Sequence, residues 1–523
     1  MSEHRSYQTK KNWWVHFGWL SLLVIAVLLF ALLFGRRVAG LRFTRNEKEL
    51  VVYCAAGMLL PVKEAAKSYK EKYNQPIRLE PASSGHLEIL IREETKSGKP
   101  LADLYIPAND YYAKKTAADG LTQEYFPLAT FRLVLAGKRE TDLKITSLND
   151  LLEQNISFVM CNPEAAAGRF AQKTLAALGM YEALNKAMKV SFPTVVEAAN
   201  AIQTSDDAQA GFLWDTTARQ YKLKIFDLPE LAGASSSTSV NVVSTSKVPA
   251  RALAFARYLS APEQGNAVFA RHFFSPVPGD RWHPQPELTF FCGGVNRNAV
   301  QRTLREFEER EGIKIRTEFG GCGTLVTTMQ SIKSGESEAG FPDVYMTCDK
   351  TFYDPVAEDF GEGRDISTTD IIILVRKGNP KGIARLEDLA REGVSFGTTD
   401  PKMSTLGSLS WKLFTLMGLK EAVRSNAIVT TPTAHELVLQ MTGHPKLDAV
   451  LVYVANCHFA RETCDLIPIG HPLAKATQNI GASLRTPYPR LTERLINALH
   501  STEKSKKRFL EYGFQWVSDT ESK

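Results

Sequence analysis

The apolar positions of this chain follow two different patterns. Residues 13–34 read WWVHFGWLSLLVIAVLLFALLF, 22 residues without Asp, Glu, Lys or Arg and with His16 as the one titratable group. As a helix this stretch would reach about 33 Å, close to the hydrocarbon thickness of a bilayer. Trp13, Trp14 and Trp19 gather toward its N-terminal side, where an interfacial belt holds them. The run also exceeds the roughly 7–15 apolar residues of a cleaved signal. The expectation is one transmembrane anchor over residues 13–35, preceded by a tail, 1–12, and followed by a basic linker, 36–48. Val38-Ala39-Gly40 is a weak alternative cleavage signal, and no Cys follows closely enough to carry a lipid.

Beyond residue 48 the apolar runs are short and switch between strand and helix periods. Residues 50–53 read as a strand, 55–57 as a turn, and Val62, Ala65, Ala66, Tyr69 and Tyr73 recur at helical spacing. Residues 77–79 make the next strand. Ser83-Ser84-Gly85 breaks it, and a helix with Leu87, Leu90 and Ile91 on one side follows. Residues 131–135, 157–160 and 211–214 are later strands, and 370–375 has the continuous apolar run of a buried parallel strand. Strand, small-residue turn and helix in repetition predict an α/β fold with a mostly parallel sheet.

The pattern occurs twice. Residues 50–57 align with 288–295 at a separation of 238, and Ser83-Ser84-Gly85 with Gly321-Cys322-Gly323 at the same separation. Asp103 in ADLYIPAND matches Asp343 in PDVYMTCDK at 240, and Gly168 matches Gly407 at 239. Thr194 and Glu197 match Thr433 and Glu436, and Trp214 matches Tyr453, again at 239. So constant an offset means two tandem domains of about 235 residues and not a solenoid. Residues 49–284 and 285–523 are the expected domains, with the Pro-rich stretch 275–286 as the junction.

Composition refines this picture at three points. The net charge of +6 resides entirely in residues 1–48, which hold eight Lys and Arg against two acids. The remainder is balanced at 55 of each sign, so the globular part offers no basic face for nucleic acid. The same count leaves membrane orientation open, since basic residues flank the apolar run on both sides. Seven Cys is an odd number; Cys457 and Cys464 are near enough to bridge, although spacing does not fix connectivity. No P-loop, H-E-x-x-H, G-x-S-x-G or C-x-x-C is present, and the His and carboxylates form no catalytic motif, so no enzyme activity and no cofactor are expected.

The candidate chemistry lies in the small-residue turns, which fall between a strand end and a helix start. In an open α/β sheet that is the ligand crevice. Unpaired N–H groups and the helix dipole bind anions there without a formal positive charge, and a Ser hydroxyl adds a donor. Thr194 and Thr433, each three residues before a Glu, mark two further helix starts.

These turns resemble the type II periplasmic solute-binding proteins, in particular the molybdate-binding proteins of ABC importers, once per repeat. The resemblance implies two α/β lobes in each domain, closing over a small oxyanion. It places Gly57 and Val295 where the family has the Ser of an A-A-S-L turn, and Ser84, beside Ser83, and Cys322 at its second Ser. Ala167 before Gly168, and Leu406 before Gly407, take its P-A-G turn; Val196 and His435 take a backbone-donor position; Trp214 and Tyr453 take the position of a phenol. In the second repeat Cys322, His435 and Tyr453 would then converge as a thiol, an imidazole and a phenol, a set able to hold a transition metal, although no metal-ligand spacing supports one.

The resulting expectation is an extracytoplasmic, membrane-anchored protein that captures a molybdate- or tungstate-like oxyanion, mainly in its first repeat. Delivery to an ABC permease is implied by the resemblance alone. The alternatives are a sensing or scaffold module with degenerate pockets, and metal capture by the second domain.

Overall fold

The computed structural model describes residues 49–517 except Glu338. The expected tail, anchor and linker, 1–48, lie outside the described residues. Among the described residues no helix is long and apolar enough to cross a membrane.

The first half forms a ten-stranded sheet from β1 (Leu50–Ala55), β2 (Ile77–Ala82), β3 (Leu104–Ile106), β4 (Thr122–Gly137), β5 (Phe158–Cys161), β6 (Val190–Phe192), β7 (Ala210–Trp214), β8 (Lys224–Phe226), β9 (Ser235–Val243) and β10 (Ser275–Pro276). Its order is β2-β1-β3-β9-β4-β7-β5-β6, with β8 and β10 also paired to β4. The second half repeats it with β11 (Glu287–Gly293), β12 (Lys314–Gly320), β13 (Val344–Met346), β14 (Arg364–Arg376), β15 (Phe396–Thr399), β16 (Ala427–Thr431), β17 (Ala449–Tyr453), β18 (Cys464–Pro468), β19 (Lys475–Ala482) and β20 (Gln515–Trp516). Every pairing recurs with each strand number raised by ten.

In each half the sheet serves two lobes, because one long strand passes from the first to the second. The start of β4 pairs with β9, and its end, Leu133–Gly137, pairs with β7 and β8. Strand β14 does the same between β19 and the β17/β18 side. The sheets are therefore mixed, not mostly parallel: β1, β2 and β3 run parallel, as do β5, β6 and β7, while β4 and β9 run antiparallel to their neighbours. The run 370–375 belongs to β14, whose partners are all antiparallel, which corrects the expected parallel strand. An apolar run reports that both faces are covered and carries no information on direction.

Local chemistry sets the element ends. The helix Leu59–Tyr73 stops at Asn74 (φ 53°) and its counterpart Arg297–Glu311 at Gly312 (φ 65°), left-handed positions that Asn and Gly tolerate. Val62, Ala65, Ala66 and Tyr69 face the core as expected, whereas Leu90, placed beside Leu87 and Ile91 by the spacing, is exposed. Asp103 and Asp343 explain one of the repeated positions. Asp103 accepts from the Val51 N–H at 3.0 Å and the Ser246 hydroxyl at 2.8 Å; Asp343 accepts from the Thr289 N–H at 2.8 Å and the Thr486 hydroxyl at 2.6 Å.

The two halves are packed together through a buried ionic cluster. Glu311 accepts from Arg257 Nη1 at 2.9 Å and from Arg494 Nε at 2.7 Å, and Asp280 caps the helix Pro489–His500 through the N–H groups of Arg490 (2.7 Å) and Leu491 (2.9 Å). The connecting chain is pinned as well: Trp282 donates to the Tyr73 hydroxyl at 2.7 Å and packs edge-on against Tyr258. All seven cysteines are free and buried, so Cys457 and Cys464 form no bridge.

Candidate functional site: a ring of helix N-termini

Four helices of the first half begin around one small cavity. The turn at Ala56–Met58 opens the helix Leu59–Tyr73, and Ser83 and Ser84 open Ser84–Ser97. Ala165 precedes Ala166–Ala177, and Thr194 precedes Val195–Thr204. The starting residues of all four line the cavity, and Trp214, at the end of β7, closes it. These starts come from both lobes, so the cavity lies between them. Its free space, about 20 Å³ for the centre of a water-sized sphere, suits one or two waters or a single small ion.

No charged side chain lines this space, and its polarity comes from backbone N–H groups and three hydroxyl-bearing residues. The first turn of a helix leaves N–H groups without intrahelical acceptors, and the dipole adds partial positive charge. Some of these donors are already engaged. The Ser83 hydroxyl accepts from the His86 N–H at 3.3 Å, and the Thr194 hydroxyl accepts from the Glu197 N–H at 3.2 Å and donates to the Glu197 carboxylate at 2.9 Å. Ser84 Oγ accepts from the Ala108 N–H at 3.1 Å, which leaves its own proton to donate. The Trp214 indole is fully buried, and its Nε1–H has no partner. A buried donor left unmade costs about 1–3 kcal/mol, so an acceptor beside it is strongly favoured.

The expected residues of the first half divide in two. Gly57, Ser83, Ser84, Ala167 and Trp214 line the cavity. Gly168 and Val196 stand one residue behind the lining residues Ala167 and Val195. Gly168 is small for another reason: a Cβ there would fall 2.1 Å from the Asn162 carbonyl oxygen and 2.3 Å from that of Cys161. Gly57 makes way for Val195, since its Cβ would sit 3.0 Å from Val195 Cγ2, while the indole at 3.5 Å would be in ordinary contact. Sequence reading missed Ala108 and the lining roles of Thr194 and Val195. Ala108 lay within the quoted ADLYIPAND stretch, but its N–H bond to Ser84 is a tertiary contact.

The lobes of the first half meet directly beside the cavity. The Gly85 N–H donates to the Glu164 carbonyl at 3.0 Å, and the Tyr112 hydroxyl donates to the same oxygen at 3.1 Å. The helix that presents Ser84 is anchored by Glu88, 3% exposed, which accepts from Lys115 and Arg92 at 2.6 Å each. Burial alone would raise the Glu88 carboxyl, but these cations hold it below the usual carboxylate range. A carboxylate with a depressed folded pKa stabilises fully above its unfolded value and loses that contribution as pH falls through the folded one. Glu88→Gln is therefore expected to melt lower than the parent at neutral pH, with the gap shrinking in thermal scans as pH falls below the ordinary carboxylate range.

In the second half the equivalent positions carry different side chains and are buried as well. Val295, Cys322, Leu406 and Tyr453 are at most 6% exposed and belong to one hydrophobic core. Gly407 repeats the close approach of Gly168, with a Cβ position 2.4 Å from the Thr399 carbonyl oxygen. The expected convergence of Cys322, His435 and Tyr453 does not occur, because His435 is exposed on its helix while the other two are buried. A helix start shows its backbone N–H to the cleft and can still turn its side chain outward. Among the described residues no group of three His, Cys, Asp or Glu is placed to hold a metal.

A Haemophilus influenzae protein described as a binding protein is 25% identical over 237 residues, 44% of this chain and 90% of its own. Among solved structures, the Azotobacter vinelandii periplasmic molybdate-binding protein is 18% identical, with 44% of this chain and 100% of that chain covered at a TM-score of 0.38. PEB3 of Campylobacter jejuni with L-phospholactate bound is also 18% identical, with 44% and 99% covered at a TM-score of 0.35. The bacterial extracellular solute-binding protein family matches residues 50–275 and again 288–515, and the chain belongs to that family, carrying its domain twice.

Proposed function

We propose that this chain is an extracytoplasmic binding protein, tethered by a membrane helix at 13–35, whose first domain, 49–284, captures a small oxyanion of the molybdate or tungstate kind. The observation that carries the reading is the convergence of four helix N-termini and an unpartnered indole N–H on one cavity without a carboxylate. Such a site favours a compact, multivalent acceptor with no proton to share, because Ser84 and the Trp214 indole can donate into it and the helix starts add positive potential. Gly57, Ser83, Ser84, Ala167 and Trp214 hold the ion directly in this reading, with Gly168 and Val196 behind them. The bound anion is then handed to an ABC-type permease, a step that rests on family membership.

The second domain, 285–523, acts as a scaffold that has given up the ligand, a reading supported by Val295 and Leu406 standing where the first domain has the smaller Gly57 and Ala167. Isothermal titration of the full chain in detergent with molybdate, tungstate, sulfate and phosphate tests the whole reading. One site per chain is expected, with at least one of these anions; heat from none of them would refute it.

A further inference from the structure

Three changes between the halves coincide in space. Where the first half has Ala55, Ser84 and Ala108, the second has Gly293, Cys322 and Cys348. The local bond is kept: the Cys348 N–H donates to Cys322 Sγ at 3.0 Å, as the Ala108 N–H donates to Ser84 Oγ. The glycine accommodates the added sulfurs. A Cβ on Gly293 would lie 2.4 Å from Cys348 Sγ and 2.9 Å from Cys322 Sγ, so both thiols occupy the volume that Ala55 fills in the first half.

We infer that the cleft of the second half is a redox site, in which Cys322 and Cys348 pass between a dithiol and a disulfide by exchange with an external disulfide. Cys322 is the first residue of the helix Cys322–Ser334, where the dipole favours a thiolate. Burial opposes that charge, but hydrogen bonds from the Cys348 thiol, the Thr405 hydroxyl, the Cys348 N–H and the Tyr345 hydroxyl together outweigh it and hold Cys322 below the usual thiol range. Cys348, hydrogen-bonded to Cys322 and buried, lies well above it. The other titratable groups facing the pair, Cys292, Tyr345 and Tyr453, are all pushed upward by burial first and remain neutral. Tyr453 Oη is buried without a partner beside them. The arrangement thus supplies one nucleophile and one resolving thiol in the place where the first half presents a serine hydroxyl.

The exchange has two steps. The Cys322 thiolate attacks one sulfur of a small disulfide, forming a mixed disulfide and releasing one thiolate. Cys348 then gives its proton to the first released thiolate and attacks Cys322 Sγ, which joins the two cysteines and expels the second thiolate; the protein is oxidised and the small disulfide reduced to two thiols, the second protonated by solvent. Access requires the lobes to part, since the Gly323 N–H donates to the Met403 carbonyl across the cleft at 3.2 Å.

The test is incubation of the native full chain with glutathione disulfide, followed by alkylation in denaturant and peptide mass mapping. The free thiol count is expected to fall from seven to five, with one linked pair, Cys322–Cys348. Cys348→Ser should stop at a glutathione adduct on Cys322. Cys322→Ser, which restores the serine of the first half, should keep its other six thiols. An unchanged count in the native parent while the denatured chain reacts, or linkage of any other pair, would overturn the inference. Neither readout depends on an anion in the first half.

Discussion

Ala167→Leu is expected to lower oxyanion affinity by a hundredfold or more, about 3 kcal/mol, with little change in the melting temperature of the unliganded protein. Ala167 is 2% exposed and lines the cavity at the start of the helix Ala166–Ala177. The second half carries Leu406 at the same place, fully buried within a continuous core. This fold therefore accommodates leucine at that position. With about 20 Å³ of free centre volume, three added carbons leave no room for an ion and remove its access to the N–H groups of two helices. Calorimetry with molybdate and tungstate reads the effect, and unchanged affinity would place the ligand elsewhere.

Glu311→Ala is expected to cost about 3–5 kcal/mol, read as a lower urea midpoint of the whole chain. Glu311 is 2% exposed and is the carboxylate that pairs with both Arg257 and Arg494. Burial would drive its carboxyl upward, and Arg494 with Arg257 instead keeps it below the usual range. Removing it leaves two cations between the halves, and Arg257 already has Nε and Nη2 without partners. A midpoint unchanged in the variant would mean that the halves are held together by their remaining contacts.

Duplication was the most legible feature of this protein. Asp103 and Asp343, or Thr194 and Thr433, are repeated because each closes the same bond in both halves, and such bonds keep residue type and spacing together. The turns before helices were legible for a similar reason, since small residues and hydroxyls mark helix starts. Strand direction was not. The segment 370–375 is apolar because both of its faces are covered, and whether its neighbours run with or against it depends on a chain path set far away in sequence.

The site was legible to the same degree. Gly57, Ser84, Ala167 and Trp214, the positions that the family resemblance singled out, line one cavity, while Gly168 owes its identity to the Cys161 and Asn162 carbonyls. Cys348 stood in plain view within PDVYMTCDK, yet its place beside Cys322 requires β13 to lie next to β11 and Gly293 to leave room.

Sequence alone determined the two α/β repeats, their order of strands and helices, and the small-residue starts of the helices, all of which are encoded by period, spacing and side-chain size over a few residues. Tertiary structure alone decided that the first set of helix starts encloses a cavity, because that depends on side chains meeting from segments more than a hundred residues apart. The coupling of the halves through Arg257, Glu311 and Arg494 was decided at the same level, since burial determines whether a charge is solvated or must find a partner.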